Sequence, residues 1–201
     1  MILWMLTLIA LGREPDPPLS AAMPDPVERS EYNRLTQELE LLAAKRAWVG
    51  AERIFQALLS TGADPSFADW LRGAHAARAA GDLLSTRQRL ASAQQVRHDP
   101  AVQEWIIAID NDYGRVRLAC DPGSRIQLLP EALPLDPDQR RAVERAVAQI
   151  HEGCAFDGLL PRGSYRFYTQ SFRVIPRVQT VWLDLRGARI DRKLLKELQG
   201  P

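Results

Sequence analysis

Apolar residues recur every three to four positions through the first half of the chain, which predicts amphipathic helices packed through one face. Turn formers separate these periodic stretches: Gly62 with Asp64-Pro65, Gly81-Asp82, and Asp99-Pro100. The pattern therefore predicts two successive helical hairpins and one closing helix. The four paired helices are predicted over residues 28–46, 49–60, 66–80 and 84–97, and Asp99-Pro100 opens the fifth.

From Gly114 onward the periodicity changes to the alternation that is typical of half-buried strands. One further amphipathic helix, 138–152, interrupts this region, and residues 159–163 are predicted to form a turn. The fold class predicted is α+β: helical hairpin repeats, then a small antiparallel β-sandwich with an inserted helix. Strands are predicted over 114–120, 124–129, 164–168, 171–175 and 179–186, with extended structure also resuming at 154–156.

The remaining segments predict an exported protein. Residues 1–12 contain an unbroken apolar run that is too short to cross a bilayer but fits the core of a secretory signal. No Lys or Arg precedes it, so a short core helix or a misplaced start stays open. Residues 13–26 hold five prolines and predict a stiff linker. Units are then expected over 27–112 and 113–187, and a basic tail, 188–201, with a short helix.

The two predicted units differ in net charge. The chain carries 26 Lys and Arg against 25 Asp and Glu, so net charge provides no argument for nucleic-acid binding. However, 13–113 has 11 basic and 15 acidic residues, whereas 114–201 has 15 basic and 10 acidic residues. The two units are thus expected to present surfaces of opposite sign.

The helical half resembles the tetratricopeptide repeat, whose helix pairs of about 34 residues stack to bury a continuous core. Thr86 departs from the pattern, and an ordinary helix bundle stays open. The resemblance implies a concave groove that binds protein segments. The residues that match the repeat pattern in the second unit are Trp70, Gly73, Ala74, Ala77, Gly81, Asp82, Leu90, Ala93, Asp99 and Pro100. Those that match it in the first unit are Leu35, Leu39, Leu42, Ala51, Phe55 and Leu58. The groove residues implied are Asn33, Thr36, Glu40, Leu71, His75, Arg78, Gln103 and Ile106.

In the second half, Phe156, Leu159, Gly163 and Tyr165 resemble a stretch of small antiparallel β-sandwiches of the PEGA and carboxypeptidase-regulatory types. Such domains serve as spacer or adhesion units in bacterial envelope proteins. The resemblance covers about 155–186 and implies a fold but no chemistry. Helix 138–152 departs from the simplest members, which leaves the strand order open.

The sequence contains no recognisable catalytic motif. His75, His98 and His151 stand in separate segments without the spacing of metal ligands, and neither a phosphate loop nor a nucleophile elbow occurs. Asp110 and Asp112 flank Asn111, but the remaining residues of a calcium loop are missing. The protein is predicted to be no enzyme, with no cofactor and no metal. Cys120 and Cys154 are predicted to form a disulfide; two buried free thiols are the alternative.

These observations predict a non-enzymatic scaffold of a bacterial envelope assembly, with a protein partner in the groove. Repeat-containing periplasmic components of gliding-motility or secretion machines are the narrower resemblance. The alternatives are a carbohydrate- or peptidoglycan-binding accessory and a cytoplasmic adaptor. Strand alternation also predicts a competing binding face of exposed arginine and aromatic side chains. That face comprises Arg115, Arg117, Arg166, Tyr168, Arg173, Trp182 and Arg186.

Overall fold

The structure is a computed structural model that describes residues 26–178 and 180–187. Five helices come first, and a mixed region of six strands and one helix follows. The predicted signal segment 1–12, the linker up to residue 25 and the tail 188–201 lie outside the described residues. The helices are α1 (Pro26–Ala44), α2 (Trp48–Ser60), α3 (Phe67–Ala79), α4 (Leu83–Val96), α5 (Pro100–Asp112) and α6 (Pro137–Gly153). The strands are β1 (Tyr113–Ala119), β2 (Leu128–Pro130), β3 (Ala155–Pro161), β4 (Gly163–Phe167), β5 (Gln170–Val174) and β6 (Val181–Asp184).

The ends of the helices follow local sequence chemistry. Ser66 and Asp69 form a capping box at the start of α3, and the side chain of Asp99 accepts hydrogen bonds from the first turn of α5. Gly81 lies between α3 and α4 with φ +73, a left-handed conformation that costs glycine little. The five predicted helices are confirmed to within two residues at the ends that the sequence specifies.

Neighbouring helices pack side by side in chain order, and α1 also contacts α3. Leu39, Phe55 and Leu58 are fully buried between α1 and α2, whereas Leu90 and Ala74 are buried between α3 and α4. Gly73 brings α3 against α2 so closely that a Cβ there would lie 2.6 Å from the Phe55 ring. The helical half is thus a stack of helices with two buried clusters, one between α1, α2 and α3 and one between α3, α4 and α5 that also includes Tyr113 and Ala142.

The strands form two three-stranded sheets, ordered β3-β1-β6 and β2-β4-β5, that share one core with α6. Val116, Leu118, Phe167 and Val174 point into this core and are at most 2% exposed. The mixed α+β class is confirmed. The expectation of a purely antiparallel sandwich is wrong, because β6 pairs with β1 in parallel. The chain leaves β5 in one sheet and enters the other, so β5 and β6 cannot form a hairpin.

Two predicted boundaries in the β region are wrong for physical reasons. The predicted turn 159–163 begins too early, because Leu160 is fully buried and pairs with Gly114, and β3 therefore continues to Pro161. The predicted strand 124–129 is reduced to Leu128–Pro130, since the residues before it form a loop. Periodicity alone does not reveal where a partner strand ends.

Cys120 and Cys154 connect the end of β1 with the end of α6. Their sulfur atoms lie at disulfide-bonding distance, as predicted, with Cα atoms 5.1 Å apart. The Cys120 amide also donates to the Cys154 carbonyl at 2.8 Å. Cys154 adopts a left-handed backbone conformation, which turns the chain from α6 into β3.

Candidate functional site

Three rings from three helices form one surface patch, here named the aromatic row: Trp48, His75 and Trp105. Trp48 begins α2, His75 lies in α3 and Trp105 lies in α5. The His75 ring centroid is 6.0 Å from that of Trp48, with the rings stacked, and 4.8 Å from that of Trp105. His75 is exposed and both tryptophans are half-buried. The row therefore presents an aromatic surface that crosses the stack of hairpins.

The row controls the charge of His75. Partial burial between the indole rings disfavours the imidazolium, and the positive charge of Arg78 one turn away acts in the same direction. Both effects lower the pKa of His75 below 6.5. At neutral pH the ring is therefore uncharged and can donate one hydrogen bond and accept another.

Arg78 lies beside the aromatic row but is engaged within the chain. Its guanidinium carbon is 5.3 Å from the Trp105 ring centroid, and its Nε donates to Asp138 Oδ2 at 2.6 Å. Arg141 also pairs with Asp138. A cavity of about 180 Å³ lies between these groups, lined in part by Tyr113, whose pKa is raised by burial and by the acidic side chains around it. The first turn of α6 thus closes one end of the aromatic row.

The predicted groove residues fall into three groups. Asn33, Glu40 and Gln103 are exposed, and Glu40 pairs with Arg72 across α1 and α3 at 3.2 Å. Thr36 and Leu71 are half-buried, and Leu71 packs against the core between α3, α4 and α5. Ile106 is only 8% exposed in that core, so its side chain is unavailable to a ligand.

Of the predicted groove residues, the structure brings His75 and Arg78 together, and it does so around Trp105. Trp48 and Trp105 are not among the predicted groove residues. The sequence feature that points to Trp48 is its position directly before the predicted helix 49–60, where a large side chain can extend past the end of the helix. Neither residue could be assigned to the site without knowing which helices are neighbours.

A partly buried ion pair joins α4 to α2, which carries Trp48 of this surface. Arg89 of α4 donates to both carboxylate oxygens of Glu52 in α2, each at 2.6 Å, and to the Gly73 carbonyl of α3 at 2.7 Å. Its guanidinium also lies 4.5 Å from the centroid of the Phe55 ring. Burial acts to raise the pKa of Glu52, but hydrogen bonds from Arg89 and Gln56 and the charge of Arg89 outweigh it, so the pKa is lowered.

The competing face predicted on the strands is divided between the two sheets. Arg115, Arg117 and Trp182 point outward from the first sheet, and both arginines pair with Asp157 of β3. Trp182 lies opposite Arg117 in the register and is 68% exposed. A shallow depression of about 730 Å³ includes these residues and extends to Glu152.

The other predicted members of that face lie elsewhere. Arg166 and Arg173 are exposed on β4 and β5 of the second sheet, and Tyr168 follows β4. Arg186 follows β6, and its hydrogen bonds to Asp184 lower the pKa of that carboxyl to about 2. The predicted set therefore does not form one continuous surface, and only its first-sheet part surrounds a depression.

Acidic and sulfur-containing residues show no metal-binding arrangement within the described part of the chain. Asp110, which the sequence left as a weak cation candidate, instead accepts two hydrogen bonds from Arg87, at 2.5 and 2.9 Å. Across residues 26–178 and 180–187, no helix is both long and apolar enough to span a bilayer.

Comparison with protein-family models, with curated proteins and with solved structures finds no match to this chain.

Proposed function

We propose that this protein is a non-enzymatic scaffold that binds a segment of a partner protein at the aromatic row. The observation that carries the proposal is the packing of Trp48, His75 and Trp105 from three helices into one partly exposed surface. Aromatic rings provide large contact area with few rotatable bonds, and they are enriched at the centres of protein interfaces. A neutral histidine between these rings can form hydrogen bonds with a partner, and its burial does not require the removal of a charge from water.

The stacked hairpins support the same proposal. Their order and side-by-side packing resemble those of tetratricopeptide repeats, whose concave face binds extended segments or helices of partners. Because Arg78 is held by Asp138 and Ile106 is buried, the proposed contact surface is centred on His75 and extends to exposed Gln103 and Glu40. A partner segment would enter from the end of the row that α6 leaves open.

We further propose that the assembly belongs to a bacterial cell envelope. The support is the apolar segment 1–12 with the proline-rich stretch after it, and a cysteine pair at disulfide-bonding distance, which an oxidising compartment would maintain. Cell fractionation with intact mass measurement tests this part. Recovery of a chain that retains Met1 from the cytoplasm would contradict it.

The binding proposal is tested by capture from the envelope fraction of the source cells. The double variant His75→Ala with Gln103→Ala removes two exposed side chains, so it leaves the core intact. We expect at least about a tenfold loss of the captured partner, which corresponds to about 1.4 kcal/mol. The matched control is Gln95→Ala with His98→Ala, two exposed residues at the end of α4. Equal capture by all three proteins would contradict the proposal.

A second candidate function, glycan binding, is favoured by the exposed ring of Trp182. An exposed indole beside Arg117, Asp157 and Glu152 combines a stacking surface with charged hydrogen-bonding groups, which is the chemistry that recognises sugars. Glycan-array binding that is lost in Trp182→Ala but kept in the His75→Ala and Gln103→Ala variant would move the function to this sheet.

A further inference from the structure

The cavity of about 180 Å³ at the α6 end of the aromatic row has features of a binding site, and we name it the α5–α6 cavity. A cavity of this size is below the roughly 300–1,000 Å³ of sites that hold whole small molecules, so it can admit a single side chain. Trp105 lines the cavity and also belongs to the aromatic row, so the two are adjacent. The cavity is defined here by Arg78, Trp105, Asp112, Tyr113, Asp136 and Asp138.

Tyr113 brings a hydroxyl without a partner to the α5–α6 cavity. The residue is only 8% exposed, and it lines the cavity. Its hydroxyl forms no hydrogen bond with the residues of 26–178 and 180–187, whereas that of Tyr165, which is also buried, donates to the Pro161 carbonyl at 2.9 Å. Buried polar side chains almost always have a hydrogen-bond partner. A ligand in the cavity would supply the partner that Tyr113 lacks.

The lining of the cavity is acidic. Asp112, Asp136 and Asp138 contribute carboxylates, against a single guanidinium, that of Arg78, among the described lining residues. Burial is the main cause of the raised pKa of Tyr113, and the three carboxylates raise it further, so all three lie close enough to interact with its hydroxyl. Asp138 is paired with Arg78 and with a second arginine, but Asp112 and Asp136 form no ion pair within the described ranges. Two carboxylates therefore remain available to a cation.

The helix ends at the cavity also favour a cation over an anion. The last turn of α5 lines one side, and the C-terminal end of a helix carries partial negative charge. α6 begins on the other side, and the N-terminus of a helix ordinarily attracts an anion. Here that position is already filled, because Asp136 Oδ1 accepts hydrogen bonds from the amides of Asp138 and Gln139, both at 2.9 Å. An anion would meet carboxylates rather than free amides.

We propose that the α5–α6 cavity binds the cationic end of a lysine or arginine side chain that is carried by the partner segment at the aromatic row. The cation donates hydrogen bonds to the Tyr113 oxygen and pairs with the carboxylates of Asp112 and Asp136. The identity of the carrier rests on the function proposed for the aromatic row, whereas the preference for a cation rests on the cavity alone. The partner is thereby specified as a segment with a basic residue next to the part that contacts His75 and Trp105.

NMR titration of the full chain with n-butylammonium chloride, at constant ionic strength, tests the cavity without the partner. Uncharged 1-butanol is the matched probe, and n-butylguanidinium chloride distinguishes an arginine-like from a lysine-like ligand. We expect at least one of the two cations to give saturable shifts of the Tyr113 and Trp105 ring protons at about millimolar concentrations, and 1-butanol to give none. If neither cation gives saturable shifts, or if 1-butanol gives the same shifts, the proposal is overturned.

Variants locate the bound cation. Asp112→Asn and Tyr113→Phe should each weaken cation binding about threefold or more, because each removes one acceptor or charge. Since the Tyr113 hydroxyl has no partner in the described part of the chain, Tyr113→Phe should leave the thermal unfolding midpoint unchanged. The control is Glu104→Gln, an exposed acid of α5 that does not line the cavity, which should bind the cation as the unchanged protein does. Cation binding that is insensitive to both cavity variants would overturn the proposal.

Capture from the envelope fraction tests the carrier. The double variant Asp112→Asn with Tyr113→Phe should capture about threefold less partner or lower still, with Glu104→Gln again as the control. If this double variant captures the partner fully while His75→Ala with Gln103→Ala loses it, the proposal is overturned and the function of the aromatic row stands. If the cation binds but capture ignores the His75→Ala and Gln103→Ala variant, the function of the aromatic row is overturned and the cation site in the cavity is supported.

Discussion

Arg89 and Glu52 form a bidentate ion pair that joins α4 to α2, with both nitrogen–oxygen distances at 2.6 Å. Arg89 is 8% exposed, whereas Glu52 is 30% exposed and so retains contact with water. The same guanidinium also satisfies the Gly73 carbonyl at the point where α3 approaches Phe55. A single side chain of α4 therefore makes hydrogen bonds to both α2 and α3.

Replacing Arg89→Met should lower the free energy of unfolding by about 3 kcal/mol, because it leaves Glu52 and the Gly73 carbonyl without their donor in a mostly buried site. The matched control is Arg87→Met. Arg87 also makes a bidentate pair, with Asp110, but the Arg87 side chain is 40% exposed whereas that of Arg89 is 8% exposed, so its loss should cost about 1 kcal/mol or less. Urea denaturation measures both, and similar costs would show that burial does not distinguish the two pairs.

The Glu52 carboxyl should also make stability depend on acidity. Its pKa in the folded state lies below its ordinary value of 4.5, so the folded state binds fewer protons than the unfolded state as pH falls. Its stabilisation is fully present above pH 4.5 and is lost as pH falls through the lowered value. The free energy of unfolding of Glu52→Gln should consequently fall less steeply below pH 4.5 than that of the unchanged protein, with parallel curves at pH 6 to 7.

Gly81 should tolerate alanine much less well than Gly62, although both have a left-handed backbone with φ near +73. That conformation alone costs an alanine about 1 kcal/mol. A Cβ at Gly81 would additionally lie 2.5 Å from the Arg141 carbonyl oxygen of α6, whereas at Gly62 it would meet nothing within 4 Å. Thermal unfolding should show about 3 kcal/mol lost for Gly81→Ala and about 1 kcal/mol for Gly62→Ala. Equal losses would mean that α6 does not pack against this turn.

The pKa of His75, followed by NMR of its ring protons, should lie below 6.5. Arg78→Gln should raise it towards that value, because the variant removes the positive charge that contributes to the lowering. Arg87→Gln, which changes a charge remote from the ring, serves as the control. If the pKa of His75 is unchanged in Arg78→Gln, its lowering is due to burial between the indole rings alone.

The bond between Cys120 and Cys154 should stabilise the second half of the protein by about 3–4 kcal/mol, since it closes a loop of 34 residues in the unfolded chain. Guanidinium denaturation with and without a reductant measures this difference. The double variant Cys120→Ala with Cys154→Ala should match the reduced protein and show no response to the reductant. A thiol assay of the denatured, unreduced protein that detects two free cysteines would contradict the bond.

The helices and most of the strands could be predicted from the sequence, because each depends on the spacing of apolar residues and on local residues that cap or end an element. Ser66 with Asp69, Gly81, and Asp99-Pro100 act within one turn of chain, so their effect is visible without knowledge of the fold. The alternation of Val116 and Leu118 with Arg115 and Arg117 likewise predicted which side of β1 is buried. The pairing of Cys120 with Cys154 followed from there being two cysteines in one predicted unit.

Which side chains form a continuous surface could be seen only in the folded arrangement of the helices and strands. Trp48, His75 and Trp105 are 27 to 57 residues apart, and their contact depends on how α2, α3 and α5 pack, which no local pattern specifies. For the same reason Ile106 was assigned to a binding surface although the adjoining helices bury it, and β6 was expected to be antiparallel although it joins the other sheet, in parallel with β1. Long-range neighbours arise from the packing of whole elements, so their identity becomes known only when the arrangement of those elements is known.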